Sequence, residues 1–141
     1  MSRGWAPPAA GDIVWCLFPE LPDSNPGPQP QLHPRPALVL SVEVREDGDV
    51  VRVTYGTSQK LNRLRAGEVA ITQSQHPAAY ALAGLAYDTK FDFKAIVELP
   101  WSDRYFKAPP KSRHGNNPKL GTLHVTVLRA VESAYRAAMA R

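Results

Sequence analysis

A chain of 141 residues with 43% hydrophobic and 21% charged residues has the length and composition of a single globular domain that can bury its own core. Its formal charge of +4 favours an anionic partner, nucleic acid or an acidic protein ahead of a membrane, although so modest a charge serves solubility equally well. One cysteine excludes an intrachain disulfide framework. MSRGWAPPAAGD lacks the apolar stretch of a signal peptide, and no run approaches transmembrane length, so a cytoplasmic protein is expected.

Gly11-Asp12 punctuates the start, and Ile13 to Phe18 is a first strand whose continuous apolarity asks for cover on both faces, a barrel interior on one and another subunit on the other. The fourteen prolines concentrate in two stretches that read as loops. The first, residues 19–34, is long enough to be functional. At its end Arg35 stands between Pro34 and Pro36, which hold it in a stiff extended entry to a second strand running to Val44. Asp47-Gly48 marks a hairpin turn. A third strand spans Val50 to Tyr55, with Val51, Val53 and Tyr55 on one face and Arg52 and Thr54 on the other.

The pattern breaks at Gly56-Thr57-Ser58-Gln59-Lys60, a polar cluster at a strand end. A short strand at Glu68 to Thr72 precedes a helical turn with Pro77 at its first position and Gly84 as its stop. A fifth strand at Lys90 to Leu99 sets Phe91, Phe93 and Ala95 against Lys90, Asp92 and Lys94. Trp101 to Phe106 mixes aromatics with charge, and residues 107–119 carry cations without an acid, as a basic loop would. Residues 121–140 read as an amphipathic helix with Leu123, Val127, Val131, Ala134 and Ala138 on one stripe. Five short strands, hairpin connections and a terminal helix predict a mainly β (α+β) domain, a small, strongly curved antiparallel barrel or half-barrel.

Neither a metal nor a cofactor is expected. His33, His76, His114 and His124 are scattered, and the phosphate-cradling glycine loop, GxSxG and dinucleotide fingerprint are all missing. Cys16, inside an apolar run, reads as a small buried hydrophobe. What remains is polar residues at strand ends: Arg35; Thr57 with Ser58 and Gln59; Asp88 with Lys90. Each has a plain structural reading as an edge cap, a turn, or a solvated pair contributing under about 1 kcal/mol.

Together they resemble something. GDIVW at Gly11 to Trp15, RPALVLS at Arg35 to Ser41 and YGTSQK at Tyr55 to Lys60 are similar, in order, to the signatures of the MazF/PemK toxins of bacterial toxin–antitoxin pairs. AGLAYDTKFD at Ala83 to Asp92 lies on that family's next functional strand. The resemblance implies an SH3-like curved barrel over the whole chain and a homodimer. It also implies a metal-independent endoribonuclease that cuts single-stranded RNA by transesterification, and an acidic antitoxin partner. Arg35 and Thr57 match the family's active-site arginine and threonine, and Asp88 falls where an aspartate serves in some members.

Two departures accompany the match. The first loop, PELPDSNPGPQPQLHP, replaces a Gly-Ser-Glu-Gln type segment, leaving Glu20 and Asp23 as alternative acids. Ala86 stands where some members carry a second arginine, leaving Lys90 and His33 as alternative cations, with Ser58 and Gln59 beside the phosphate. RNA would be held by the basic loop and by Trp101, Tyr105 and Phe106, of which Trp101 and Phe106 read first as core plugs. The rival expectation is a non-catalytic module on the same fold, a gyrase-poison-like or nucleic-acid-binding protein. A peptide-binding SH3-like domain is weaker, because no acidic specificity loop accompanies the aromatics.

Overall fold

The computed structural model describes residues 6–19, 32–109 and 117–140. The mature sheet has six strands: β1 (Asp12–Pro19), β2 (Leu32–Glu43), β3 (Val50–Thr57), β4 (Glu68–Ile71), β5 (Thr89–Pro100) and β6 (Lys119–Thr122), in the order β4-β5-β3-β2-β1-β6. Every neighbouring pair is antiparallel, and the sheet curls strongly into a half-barrel that carries a C-terminal helix. Helix α1 (Pro77–Ala83) follows β4, and α2 (Leu128–Met139) closes the chain. The mainly β, curved antiparallel architecture expected from the pattern is the one observed.

Alternation along the strands divides the apolar residues between two cores. Val14, Cys16 and Phe18 of β1 join Ala37, Val39, Val51, Val53 and Leu99 on one face, closed by Phe106. Ile13 enters the other face with Leu38, Phe91 and Phe93, against Ala79 and Ala83 of α1 and Ala134 of α2. The unbroken apolarity of β1 is therefore satisfied within one chain, and a second subunit is not needed to explain it. The segment after β5 returns to β1, where Leu17 N–H donates to Tyr105 O at 2.7 Å and Lys107 N–H to Trp15 O at 3.3 Å.

Residues 119–122 depart from the expectation. They lie in a strand, with Asp12 opposite Thr122 and Ile13 opposite Gly121, and α2 begins only after a 3-10 turn at Val125–Val127. Backbone contact decides this. Gly84 caps α1 in the left-handed region at φ 70°. A Cβ there would come within 2.2 Å of Leu120 O, and one at Gly121 within 2.1 Å of Leu82 O. Only glycines let the end of α1 and β6 approach so closely. His124 Nδ1 then accepts the Thr126 amide at 3.1 Å and starts the helical turn. Val127, Val131, Ala134 and Ala138 remain on the buried stripe, while Leu123 joins the same core from the connecting segment. No helix among the described residues is long and apolar enough to cross a membrane.

Strand β5 changes partners partway along. It pairs with β3 down to Ile96 opposite Thr54, and pairing resumes at Phe91 opposite Gly56. Two residues of β3 thus span five of β5, a bulge that bends the strand towards β4. Thr54, fully buried, donates its hydroxyl to the Asp92 carbonyl that the bulge strands.

Beside that bend lies a buried ion pair. Lys90 Nζ sits 3.1 Å from Glu68 Oε1 and 3.1 Å from Arg63 O, with the two side chains 8% and 9% exposed. Burial alone would push the Glu68 carboxyl up. The Arg65 amide and the Lys90 ammonium outweigh it and hold the carboxyl below its ordinary value. Its contribution to stability is complete above pH about 4.5, the ordinary value, and is lost as the pH falls through the depressed folded value. Glu68→Gln leaves Lys90 charged and unpaired, so it should destabilise the fold at neutral pH by about 3 kcal/mol in urea titrations and remove that acid-side decline.

Candidate functional site

The site follows from register. Strand β1 places Cys16 opposite Arg35, β2 places Ala37 opposite Tyr55, and β3 places Thr57 opposite Lys90. The β2–β3 pairing ends at Ala37 and Tyr55; Arg35 lies two residues before the one and Thr57 two residues after the other, and both line the same cleft. Directly opposed residues share a face, as do residues two apart along a strand, so Cys16, Arg35, Thr57 and Lys90 form one row across four strands. Pro34 and Pro36 keep the Arg35 backbone extended within that row.

Each member of the row has a different environment. Cys16 is fully buried, and burial pushes its thiol up to about 12, which removes it as a nucleophile. Arg35 is half-buried, its guanidinium carbon 5.2 Å from the centre of the Tyr55 ring. Tyr55 in turn packs on Phe18 at 4.5 Å. The arginine is thus braced by an aromatic platform anchored in the core. Thr57 Oγ1 accepts the Gln59 amide at 3.1 Å, which pins the turn after β3. Lys90 is turned away into the ion pair with Glu68.

A cleft of about 1040 Å³ opens at this end of the sheet. Arg35, Thr57 and Ser58 line it, so the structure brings together the two residues on which the sequence reading rests most heavily. Lys119 lines it from β6, and its ammonium also lies 3.4 Å from Asp12 Oδ1. Trp15 contributes from β1, and its indole Nε1 is buried without a hydrogen-bond partner among the described residues. Ala86, at the position of the family's second arginine, lines the cleft as well.

Other expected residues are placed elsewhere. Asp88 sits between two lining residues, Tyr87 and Thr89, yet its carboxylate accepts the Gln73 amide at 2.8 Å and holds the turn before α1. His33 lies half-buried on β2, opposite Phe18, outside the lining. Gln59 is exposed and enters through its backbone. Lys90 is a structural cation rather than a surface one. Trp101 packs on Phe106 at 4.6 Å, and Phe106 is fully buried, so both are core plugs. Glu20, Asp23 and residues 110–116 of the basic loop lie outside the described residues.

Trp15 is among the lining residues that sequence reasoning missed, as are Tyr87 and Thr89, and Lys119 was expected only as part of the basic loop and not at the Arg35 cleft. Trp15 appeared only within GDIVW and Lys119 only as the last cation of the basic loop. Nothing local marks either one; long-range pairing of β1 with β6 brings them here.

The arrangement offers a planar cation, an ammonium and four hydroxyl-bearing residues, Thr57, Ser58, Tyr87 and Thr89, around a cleft that fits an anionic group with an attached ring. Among the described residues no carboxylate or imidazole lines it, and no cluster of three or more His, Cys, Asp or Glu forms. Against known proteins, no family model matches the chain, and no curated protein matches it as a relative.

Gly56 makes the floor possible. A Cβ there would lie 2.5 Å from Thr89 Cγ2 and 2.9 Å from Phe91 Cε1. Gly56→Ala should therefore force β3 and β5 apart beside Thr57 and cost about 1–3 kcal/mol of stability, read as a lowered thermal midpoint.

Proposed function

We propose that this chain is the toxin component of a toxin–antitoxin pair, a MazF/PemK-like endoribonuclease that cuts single-stranded RNA without a metal ion. The observation that carries the reading is the convergence of Arg35 on β2 and Thr57 at the end of β3, the residues matching the family's active-site pair, on one cleft. The net charge of +4 suits both RNA and an acidic antitoxin segment that would compete for the same surface. A homodimer belongs to the same proposal.

In the proposed reaction the substrate's own 2′-hydroxyl attacks the neighbouring phosphorus. The O2′–P bond forms as the P–O5′ bond breaks, leaving a 2′,3′-cyclic phosphate and a 5′-hydroxyl end. A base takes the 2′-hydroxyl proton and an acid protonates the departing 5′ oxygen. Arg35 meets the non-bridging oxygens as charge builds on them, its fork matching two oxygens at once. Thr57 already accepts the Gln59 amide, so its own proton is left to donate to the phosphate. Lys119 adds positive potential from the facing strand, and the apolar wall at Trp15 and Leu85 suits a nucleobase.

One observation favours a second reading, a non-catalytic nucleic-acid-binding or gyrase-poison-like module on this fold. The described lining supplies neither a carboxylate nor an imidazole, and Ala86 faces the cleft where an arginine would add charge.

Arg35→Ala is expected to slow RNA cleavage about 10²- to 10³-fold, the scale of losing one preorganised donor, and Thr57→Ala to slow it in the same direction. Both side chains stand at the cleft rather than in a core cluster, so thermal midpoints should stay near that of the unmodified chain. Folded variants that cut RNA at the original rate would overturn the assignment, while RNA binding with no cleavage by the unmodified chain would support the module.

A further inference from the structure

The buried Lys90–Glu68 pair fastens a second, largely exposed feature. Between β3 and β4 the chain reads Gln59-Lys60-Leu61-Asn62-Arg63-Leu64-Arg65-Ala66-Gly67, three cations and no acid. Lys60, Arg63 and Arg65 are all exposed, as is Leu64 at 53%. The backbone beneath the two arginines is gripped from below. Lys90 Nζ takes the Arg63 carbonyl at 3.1 Å, Glu68 Oε1 takes the Arg65 amide at 2.8 Å, and the same two charges meet each other at 3.1 Å. The loop also bonds within itself, Arg63 N–H to Lys60 O at 3.2 Å and Glu68 N–H to Arg65 O at 3.0 Å.

Position ties this loop to the cleft. It leaves β3 directly after Thr57 and Ser58, both of which line the cleft. Lys90 is the residue opposite Thr57, so its side chain rises from the face that carries the Thr57 hydroxyl and ends on the loop backbone. A buried ion pair between two chain segments is a poor source of net stability compared with apolar packing. It is well suited to holding a loop in one place, because a loop already ordered spends less entropy when its arginines engage a ligand.

We propose that residues 60–65 form a phosphate-binding strip that extends the cleft along a single-stranded nucleic acid, with Arg63 and Arg65 on its phosphates and Lys90 and Glu68 as positioning residues. The proposal rests on the ribonuclease reading of the cleft and adds where the strand runs once it leaves Thr57. A nucleic acid is favoured over an acidic peptide because the strip continues from a rim that already presents groups suited to phosphate.

The test uses a fluorescein-labelled 2′-O-methyl oligoribonucleotide, which lacks the attacking hydroxyl and stays intact, titrated by anisotropy at several salt concentrations. Arg63→Gln/Arg65→Gln changes exposed side chains only and keeps both backbone bonds. It should weaken binding on the order of tenfold. The slope of log affinity against log salt should become shallower by about 1.4, roughly 0.7 for each lost phosphate contact.

Lys90→Met/Glu68→Leu removes the fastener without leaving a buried charge. It should flatten the slope towards that of the arginine variant even though both arginines remain, a readout that a merely structural role would leave unmoved. An unchanged slope in the fastener variant overturns the positioning role. If the fastener variant does not fold, the arginine variant alone decides the strip.

No binding by the unmodified chain overturns the ribonuclease reading and the strip with it. Normal binding and an unchanged slope in the arginine variant overturn the strip alone. Undiminished oligonucleotide binding with weakened binding of a glutamate-rich peptide also overturns it and assigns the loop to an acidic protein.

Discussion

The pairing of Ala37 with Tyr55 sets the geometry on which the functional end of this molecule depends. Arg35 lies two residues before Ala37, opposite Cys16, and Thr57 lies two residues after Tyr55, opposite Lys90, so the strand repeat turns Arg35 and Thr57 the same way. Period-two alternation gives all four a common face. A slip of one residue would turn Arg35 and Thr57 to opposite faces and move Val39 and Val53 out of their core together, so the apolar pattern that builds the core also protects the site. Tyr55 joins the two roles, with one edge on Phe18 in the core and its ring beneath the Arg35 guanidinium.

Around this row the chain uses close backbone approach where side chains would keep elements apart. Gly56 lets β3 lie against Thr89 and Phe91, and the Gly84–Gly121 contact seats α1 on β6. The bulge opposite Thr54 bends β5 from β3 to β4 and brings Lys90 over Glu68. Both strand ends facing the cleft are therefore held by packing that cannot relax cheaply, the condition for side chains that meet a ligand without reorganising.

Much of this was legible in the chain because it is encoded locally. Asp47-Gly48 announces a hairpin and Pro77 with Gly84 the two ends of α1, and these appear where the pattern puts them; β2 instead begins at Leu32, so Pro34 and Pro36 lie paired inside the strand rather than at its mouth. Arg35 and Thr57 stood out as candidates because polar residues cluster there on strands and because their motifs resemble a known family, and both line the cleft. Lys119–Thr122 was not read as a strand, since four residues with a glycine have no periodicity of their own and take their form from β1. Lys90 looked like a surface cation because its partner lies 22 residues away. The hydrogen bond from the Gln73 amide to Asp88 was likewise not legible, since the two lie 15 residues apart. Such long-range partners leave no local mark.

The proposed ribonuclease would cut RNA at the Arg35–Thr57 cleft through the substrate's own 2′-hydroxyl. The most direct test is to incubate the purified chain with a long single-stranded RNA in excess chelator and determine the chemistry of the ends. Fragments with 2′,3′-cyclic phosphate and 5′-hydroxyl termini are the expected result. RNA left intact at high protein concentration, or fragments bearing 5′-phosphates, would contradict it.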